Sequence, residues 1–228
     1  RFLTTPEAKP EDNVTSLKVA VTLKPDGTAT LKGNVTGSGQ AAPEMRRQYE
    51  TPGTRMAVFE QQWSSSYPGL RASEVTVSDV KNLEAPVTLS FAMSTPRYAE
   101  VGPGLLRFYP FGAGRAFTQA LAPLSERKSD VVFPGVWLNE LEVRYALPPN
   151  WDITEAPREV VEASPFGEVR ITTEKTADGF VVKGKVTMAA ARIAAKDYPA
   201  FRAWLMKVDQ AFGHKLVAQQ LGGQTARR

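Results

Sequence analysis

Two stretches of this chain share one design: apolar residues at every second position, a turn ending in glycine, then the same alternation returning. In the first, Leu17, Val19, Val21 and Leu23 run to Pro25-Asp26-Gly27, and Ala29, Leu31, Gly33 and Val35 follow. In the second, Val169, Ile171 and Thr173 run to Ala177-Asp178-Gly179, and Phe180, Val182, Val186 and Met188 follow. Successive strand side chains point to opposite faces, so a period of two puts one face in a core and the other in water. Proline presets a turn and glycine accepts positive φ, so each stretch is predicted to be a β-hairpin. Further strands are predicted at Val75-Val77, at Val87 to Met93 and at Leu141 to Leu147. Most of the 17 prolines lie between these runs, where they punctuate strands and protect sheet edges.

Helical spacing is confined to a few places. Met45 and Tyr49, then Met56, Phe59 and Trp63 beyond Thr51-Pro52-Gly53-Thr54, predict two short helices, and a third is expected near residues 112–122. Tyr198, Phe201, Leu205, Val208, Phe212 and Leu216 step by three or four. They predict a terminal helix with Asp197 as N-cap and Pro199 in its first turn, running until Gly222-Gly223. The sum is a mainly β chain, an antiparallel two-sheet β-sandwich of jelly-roll type, with short inserted helices and a C-terminal helix. Residues 1–13 are read as a linker belonging to a longer polypeptide. Residues 14–221 are read as one large domain with a division into lobes near 14–98 and 99–221, and 222–228 as a frayed tail.

Composition removes much chemistry. Without cysteine there is no thiol nucleophile, disulfide or thiolate metal site, and with His214 as the one histidine no multi-histidine site can form within the chain. The net charge of +4 is too small to argue a nucleic-acid groove, and Arg46-Arg47, Arg127-Lys128 and Arg227-Arg228 read as solvated faces. No stretch approaches the roughly 18 apolar residues of a membrane span. No signal peptide is expected at the start, because Phe2-Leu3 gives way at once to Thr4-Thr5-Pro6.

Motifs for catalysis or phosphate binding do not assemble. Gly37-Ser38-Gly39 lacks the spacing of a nucleophile elbow. Gly102-Pro103-Gly104 and Gly112-Ala113-Gly114 lack the rest of a phosphate loop. Asp26 and Asp178 are hairpin residues rather than calcium ligands. His214 is expected in the terminal helix as a favourable partner of its C-terminal dipole. Glu140 and Glu142 share a strand face, with Glu155, Glu159 and Glu162 nearby, and two such groups from different strands could in principle make a glycosidase pair. The alternative is a solvent face. Among aromatics, Tyr109, Phe111, Trp137 and Trp151 are the candidates for a binding surface, able to stack on sugar rings or anchor a peptide, or else to fill the core. No cofactor is expected.

A longer series of residues carries a family likeness. It comprises Leu23 to Ala29, a helix with Arg46, Pro86-Val87, then Arg127 before Val131-Val132-Phe133-Pro134. Next come Tyr145-Ala146-Leu147-Pro148-Pro149-Asn150-Trp151 with Ile153 and Pro157, the Asp178-Gly179 hairpin, and Tyr198-Pro199-Ala200-Phe201-Arg202. From about Asn13 to Val217 the chain resembles the C-terminal β-rich region of exported bacterial transglutaminase-like proteins. In these a β domain of unknown function precedes a papain-like transglutaminase core, and a β-sandwich follows it. The family's Cys-His-Asp triad belongs to that core, and without a cysteine no triad residue transfers here. The resemblance implies a non-catalytic module, periplasmic or at the cell surface, that docks on the core domain or an envelope partner. Arg46 and Arg127 match family positions and are read as structural. A carbohydrate-binding module of the envelope and a carboxylate-dependent glycoside hydrolase are the alternatives.

Overall fold

A computed structural model gives the fold and describes residues 8–113, 116–156, 159–177 and 179–222. Asp178, Pro157, Arg227-Arg228 and most of the proposed linker and tail lie outside the described residues. In chain order the strands and helices begin with β1 (Val14–Leu23), β2 (Ala29–Gly37), α1 (Ala41–Tyr49), α2 (Arg55–Trp63), β3 (Arg71–Val77) and β4 (Val87–Thr95). There follow β5 (Glu100–Gly102), β6 (Leu105–Phe108), α3 (Phe117–Leu121), β7 (Val131–Val132), β8 (Trp137–Ala146), β9 (Trp151–Glu155) and β10 (Val160–Ser164). The last are β11 (Gly167–Thr176), β12 (Gly179–Met188), β13 (Arg192–Ile193), α4 (Tyr198–Phe212) and β14 (Leu216–Gln220).

Both hairpins form, β1 with β2 and β11 with β12, and both enter one eight-stranded sheet of order β10-β11-β12-β8-β1-β2-β4-β3. The sheet draws strands from both sides of residue 98. It is mixed where an antiparallel jelly roll was expected, because β1 and β8 run parallel, Val14 opposite Leu138 through Thr22 opposite Ala146. Two antiparallel blocks, β3-β4-β2-β1 and β8-β12-β11-β10, are thus sewn along one parallel seam. A parallel pair needs a long connection, and the whole stretch from β2 to β7 supplies it. Alternation within a strand cannot report such a long-range pairing.

Register across the sheet explains its two faces. Ile171, Gly184, Leu141, Leu17, Val35 and Leu89 stand opposite one another in turn, one inward row over six strands. The outward rows carry Lys18, Lys32, Glu142 and Lys183. Against the inner face pack α2, through Phe59 with its ring 5.0 Å from that of Phe91, and α4, whose buried residues include Tyr198, Phe201, Trp204, Leu205 and Val208. A second, four-stranded sheet of order β5-β6-β14-β9 and a small β13-β7 pair complete the β structure among the described residues. The chain is therefore mainly β, with mixed and antiparallel sheets and few helices.

The end of the chain corrects the sequence reading. α4 stops at Phe212, where the Gly213 amide donates to the carbonyls of Asp209 and Gln210. Leu216–Gln220 is then a strand with β6 on one side and β9 on the other. Leu216, Val217 and Ala218 are all buried. A short apolar run is ambiguous between helix and strand, and partners at both edges decide for the strand. His214 consequently lies in the exposed loop between α4 and β14, outside the helix. Asp197 does hold the N-cap position of α4 with Pro199 in the first turn, although its side chain makes no capping bond.

Candidate binding groove

Where the second sheet meets the β1–β2 turn, four segments converge on a groove of about 320 Å³ lined by Tyr67, Arg97, Tyr98, Glu100, Arg107, Tyr109 and Lys215, among others. Its floor is set by backbone. The Gly27 carbonyl accepts from the amides of both Tyr98 (3.0 Å) and Ala99 (3.1 Å), so the first hairpin turn clamps the entry to β5. Gly27 has φ +79°, and a Cβ there would lie 2.7 Å from the Ala99 oxygen. Only glycine meets both demands. On the other wall the Ala113 amide donates to the Ser66 carbonyl at 3.1 Å.

The wall behind the groove is aromatic. Trp63, Tyr67 and Tyr98 stack in sequence at 5.8 and 6.0 Å, with ring planes within 17°. The Tyr98 hydroxyl lies 2.5 Å from that of Tyr145, which donates to the Pro110 carbonyl at 2.7 Å. A phenol has one proton, so Tyr98 is the donor to Tyr145. Burial pushes both phenols well above their ordinary value, and the pair is neutral and structural.

The rim is basic. Lys215 bonds the Glu100 carboxylate at 2.5 Å, and its ammonium lies 4.9 Å from the centre of the Tyr109 ring. The hydrogen bond to Glu100 holds the Lys215 ammonium above its ordinary pKa, with the nearby Tyr109 a lesser contribution. Arg97 and Arg107 are exposed and make no ion pair among the described residues. Three cations thus face one carboxylate.

Of the aromatics singled out in the sequence, Tyr109 alone lines this groove. Phe111 is 2% exposed and cannot stack on a ligand. A Cβ on Gly184 would lie 2.9 Å from its ring, so the missing side chain on β12 makes room for it. A glycine at an inward position of an alternating strand is the signal for such an approach. Trp137 opens β8 in the large sheet and Trp151 opens β9 in the small one, each half-buried against the core. The four residues make no common platform.

The acidic candidates are dispersed: Glu140 and Glu142 on the outer face of the large sheet, Glu159 before β10, Glu162 at the β10 edge beside α4, and Glu155 on β9 of the small sheet. Glu140 and Glu142 lie with Lys18, Arg170, Lys183 and Lys185 in a shallow depression of about 360 Å³. Signs alternate there: Glu142 stands opposite Lys18 and Lys183, and Glu140 opposite Lys185. Arg144 pairs with Glu142 at 2.8 Å, Arg170 with Glu159, and Lys207 with Glu162 at 3.1 Å. The outer face is thus self-neutralising, and the Glu162 pair lies apart from it, against α4. Among the described residues no group of three or more His, Cys, Asp or Glu is placed to hold a metal ion. Nor is any helix among them long and apolar enough to cross a membrane.

The two arginines matched to family positions are tied into structure. Arg46 donates to the carbonyls of Asn82 (2.9 Å) and Ala85 (2.6 Å), bracing the β3–β4 connection. The Arg127 guanidinium lies 6.0 Å from the centre of the Tyr198 ring.

Comparison with known proteins adds one family. Residues 106–218, just under half of the chain, match DUF3858, described as a domain of unknown function with a solved structure. No curated protein matches. Among solved structures, a protein of Parabacteroides distasonis ATCC 8503 described as a candidate protease aligns with 51% of this chain at 16% identity and a TM-score of 0.43. The aligned region spans only 23% of that protein's length.

Proposed function

We propose that the chain is a non-catalytic docking module of a larger exported transglutaminase-like protein, acting in the periplasm or at the cell surface. It seats against that protein's core domain or an envelope partner, with residues 14–221 as one sandwich-like unit whose two sheets are its layers. The observation that carries this reading is the groove. A half-buried aromatic wall with an unneutralised basic rim is a recognition surface, and its Tyr98–Tyr145–Pro110 bonding is committed to rigidity rather than to proton transfer. The family match over residues 106–218, to a domain of unknown function, takes in most of β6, Tyr109, Lys215 and most of β14, and so part of the groove. A sugar-binding role would have Tyr109 as its one groove aromatic from the sequence candidates, since Phe111 is enclosed.

Hydrogen exchange tests the reading. The full polypeptide that carries this segment is compared with residues 1–228 alone. Docking predicts slower exchange at residues 97–109 in the full polypeptide, with strands β11 and β12 of the large sheet unchanged. Equal exchange at residues 97–109 in both would contradict it.

A further inference from the structure

The charges and edges of the groove say what kind of chain fits it. Lys215 is already engaged by Glu100, but Arg97 and Arg107 are exposed at the rim and make no ion pair among the described residues. Guanidinium forks match carboxylates in bidentate geometry, and a guanidinium keeps its charge at any physiological pH. The other concentration of cations, Lys18, Lys183 and Lys185 on the outer sheet face, is interleaved with Glu140 and Glu142 and offers no comparable excess.

Two features favour a peptide over an acidic glycan. The first is the state of the rings. Lys215 stands over one face of Tyr109, Tyr98 is stacked on Tyr67, and Tyr67 itself is 5% exposed, so the groove lacks the row of open ring faces that a sugar chain stacks on. The second is the edge. Among the described residues β5 has β6 as its one neighbour in the sheet, the β1–β2 turn meeting the chain at Tyr98 and Ala99 just before it, and the groove lining runs into it through Ala99 and Glu100. An open strand edge takes an extended peptide by main-chain hydrogen bonds, while alternate side chains find their own contacts. Val101, 57% exposed on that strand, points to the opposite face from Glu100 and supplies an apolar contact for the alternate side chains of such a peptide.

We infer that the groove binds an extended peptide segment alternating carboxylate and aliphatic side chains, with its carboxylates on Arg97 and Arg107 and its backbone along β5. The inference rests on the docking reading and names the chemistry of the partner. The probe is a fluorescein-labelled peptide of alternating glutamate and valine, followed by anisotropy on the 228-residue chain. Its glutamine counterpart and polygalacturonate, an acidic glycan, serve as competitors.

Binding of the glutamate peptide is expected to weaken about tenfold or more with glutamine in place of glutamate, and similarly in Arg97→Ala/Arg107→Ala. Lys18→Ala/Lys185→Ala on the outer face should bind as the parent does. Both arginines are exposed, so the variant chain should keep its thermal transition, which circular dichroism checks. Three results would each overturn the inference: equal binding of the two peptides, unchanged binding by the double arginine variant, or binding of polygalacturonate in place of the peptide. If the glutamate peptide fails while residues 97–109 are still protected in the full polypeptide, docking stands and the acidic-peptide assignment falls. If that protection is missing too, the docking reading falls with it.

Discussion

Asp209 on α4 caps a helix that begins 92 residues earlier: its carboxylate accepts from the Phe117 amide at 2.6 Å and from the Thr118 amide at 3.0 Å. Ala116 holds the N-cap position of α3 and has no side-chain acceptor, so the cap must come from tertiary structure. Asp209→Ala leaves two amides without their partner and is expected to cost about 1–2 kcal/mol by urea titration. Asp209→Asn, which keeps an acceptor, should cost less. Equal stability of Asp209→Ala and the parent would show that α3 holds without this bond.

Gly27→Ala tests the clamp under the groove. The substitution places an alanine at φ +79° and a methyl 2.7 Å from both the Ala99 oxygen and a Val101 methyl. Left-handed strain and the forced shift together are expected to cost about 2–3 kcal/mol. Because the Gly27 carbonyl holds the Tyr98 and Ala99 amides, faster hydrogen exchange at those two amides should accompany the loss.

Phe201 is fully buried, with Phe166 edge-on at 5.4 Å and Phe133 at 5.9 Å. Phe201→Ala is expected to cost about 3–5 kcal/mol. A loss below about 1 kcal/mol by denaturant titration would mean that α4 does not pack into the core as described.

Alkaline pH should destabilise the fold through Tyr98 and Tyr145. Burial raises both phenols above their ordinary value, whereas the unfolded chain releases these protons near pH 10. Their contribution is fully present below about pH 10 and is lost as pH rises toward the higher folded values. Urea titrations at increasing pH should show this fall, with tyrosinate absorbance appearing together with unfolding. Tyr145→Phe leaves the Pro110 carbonyl and the Tyr98 hydroxyl without their partner. It should cost about 1–3 kcal/mol at neutral pH and make the alkaline fall shallower.

How much of this was readable in advance follows from the range of each interaction. Both hairpins, the strands near Val75, Val87 and Leu141, the paired helices α1 and α2, and the short α3 rest on local periodicity and turn chemistry, and all are present. The parallel β1–β8 seam joins residues more than a hundred apart, and no local pattern records it. β14 was masked because Leu216 happens to continue the spacing of α4, and its strand state depends on two flanking partners. Within the groove, Tyr109 was visible as an aromatic between glycine turns. Lys215 reaches it only through the pairing of β14 with β6, and Arg97 and Arg107 looked like any surface arginines. The Gly184 position was the one overlooked local clue, since it marks where the Phe111 ring enters.

The most direct test of the central claim, that charge at the groove rim selects the partner, is a charge exchange. Arg97→Glu/Arg107→Glu is titrated with the alternating glutamate–valine peptide and with a lysine–valine peptide of equal length. The account predicts that the variant loses the acidic peptide and gains the basic one, reversing the preference of the parent chain. An unchanged preference for the acidic peptide would contradict it.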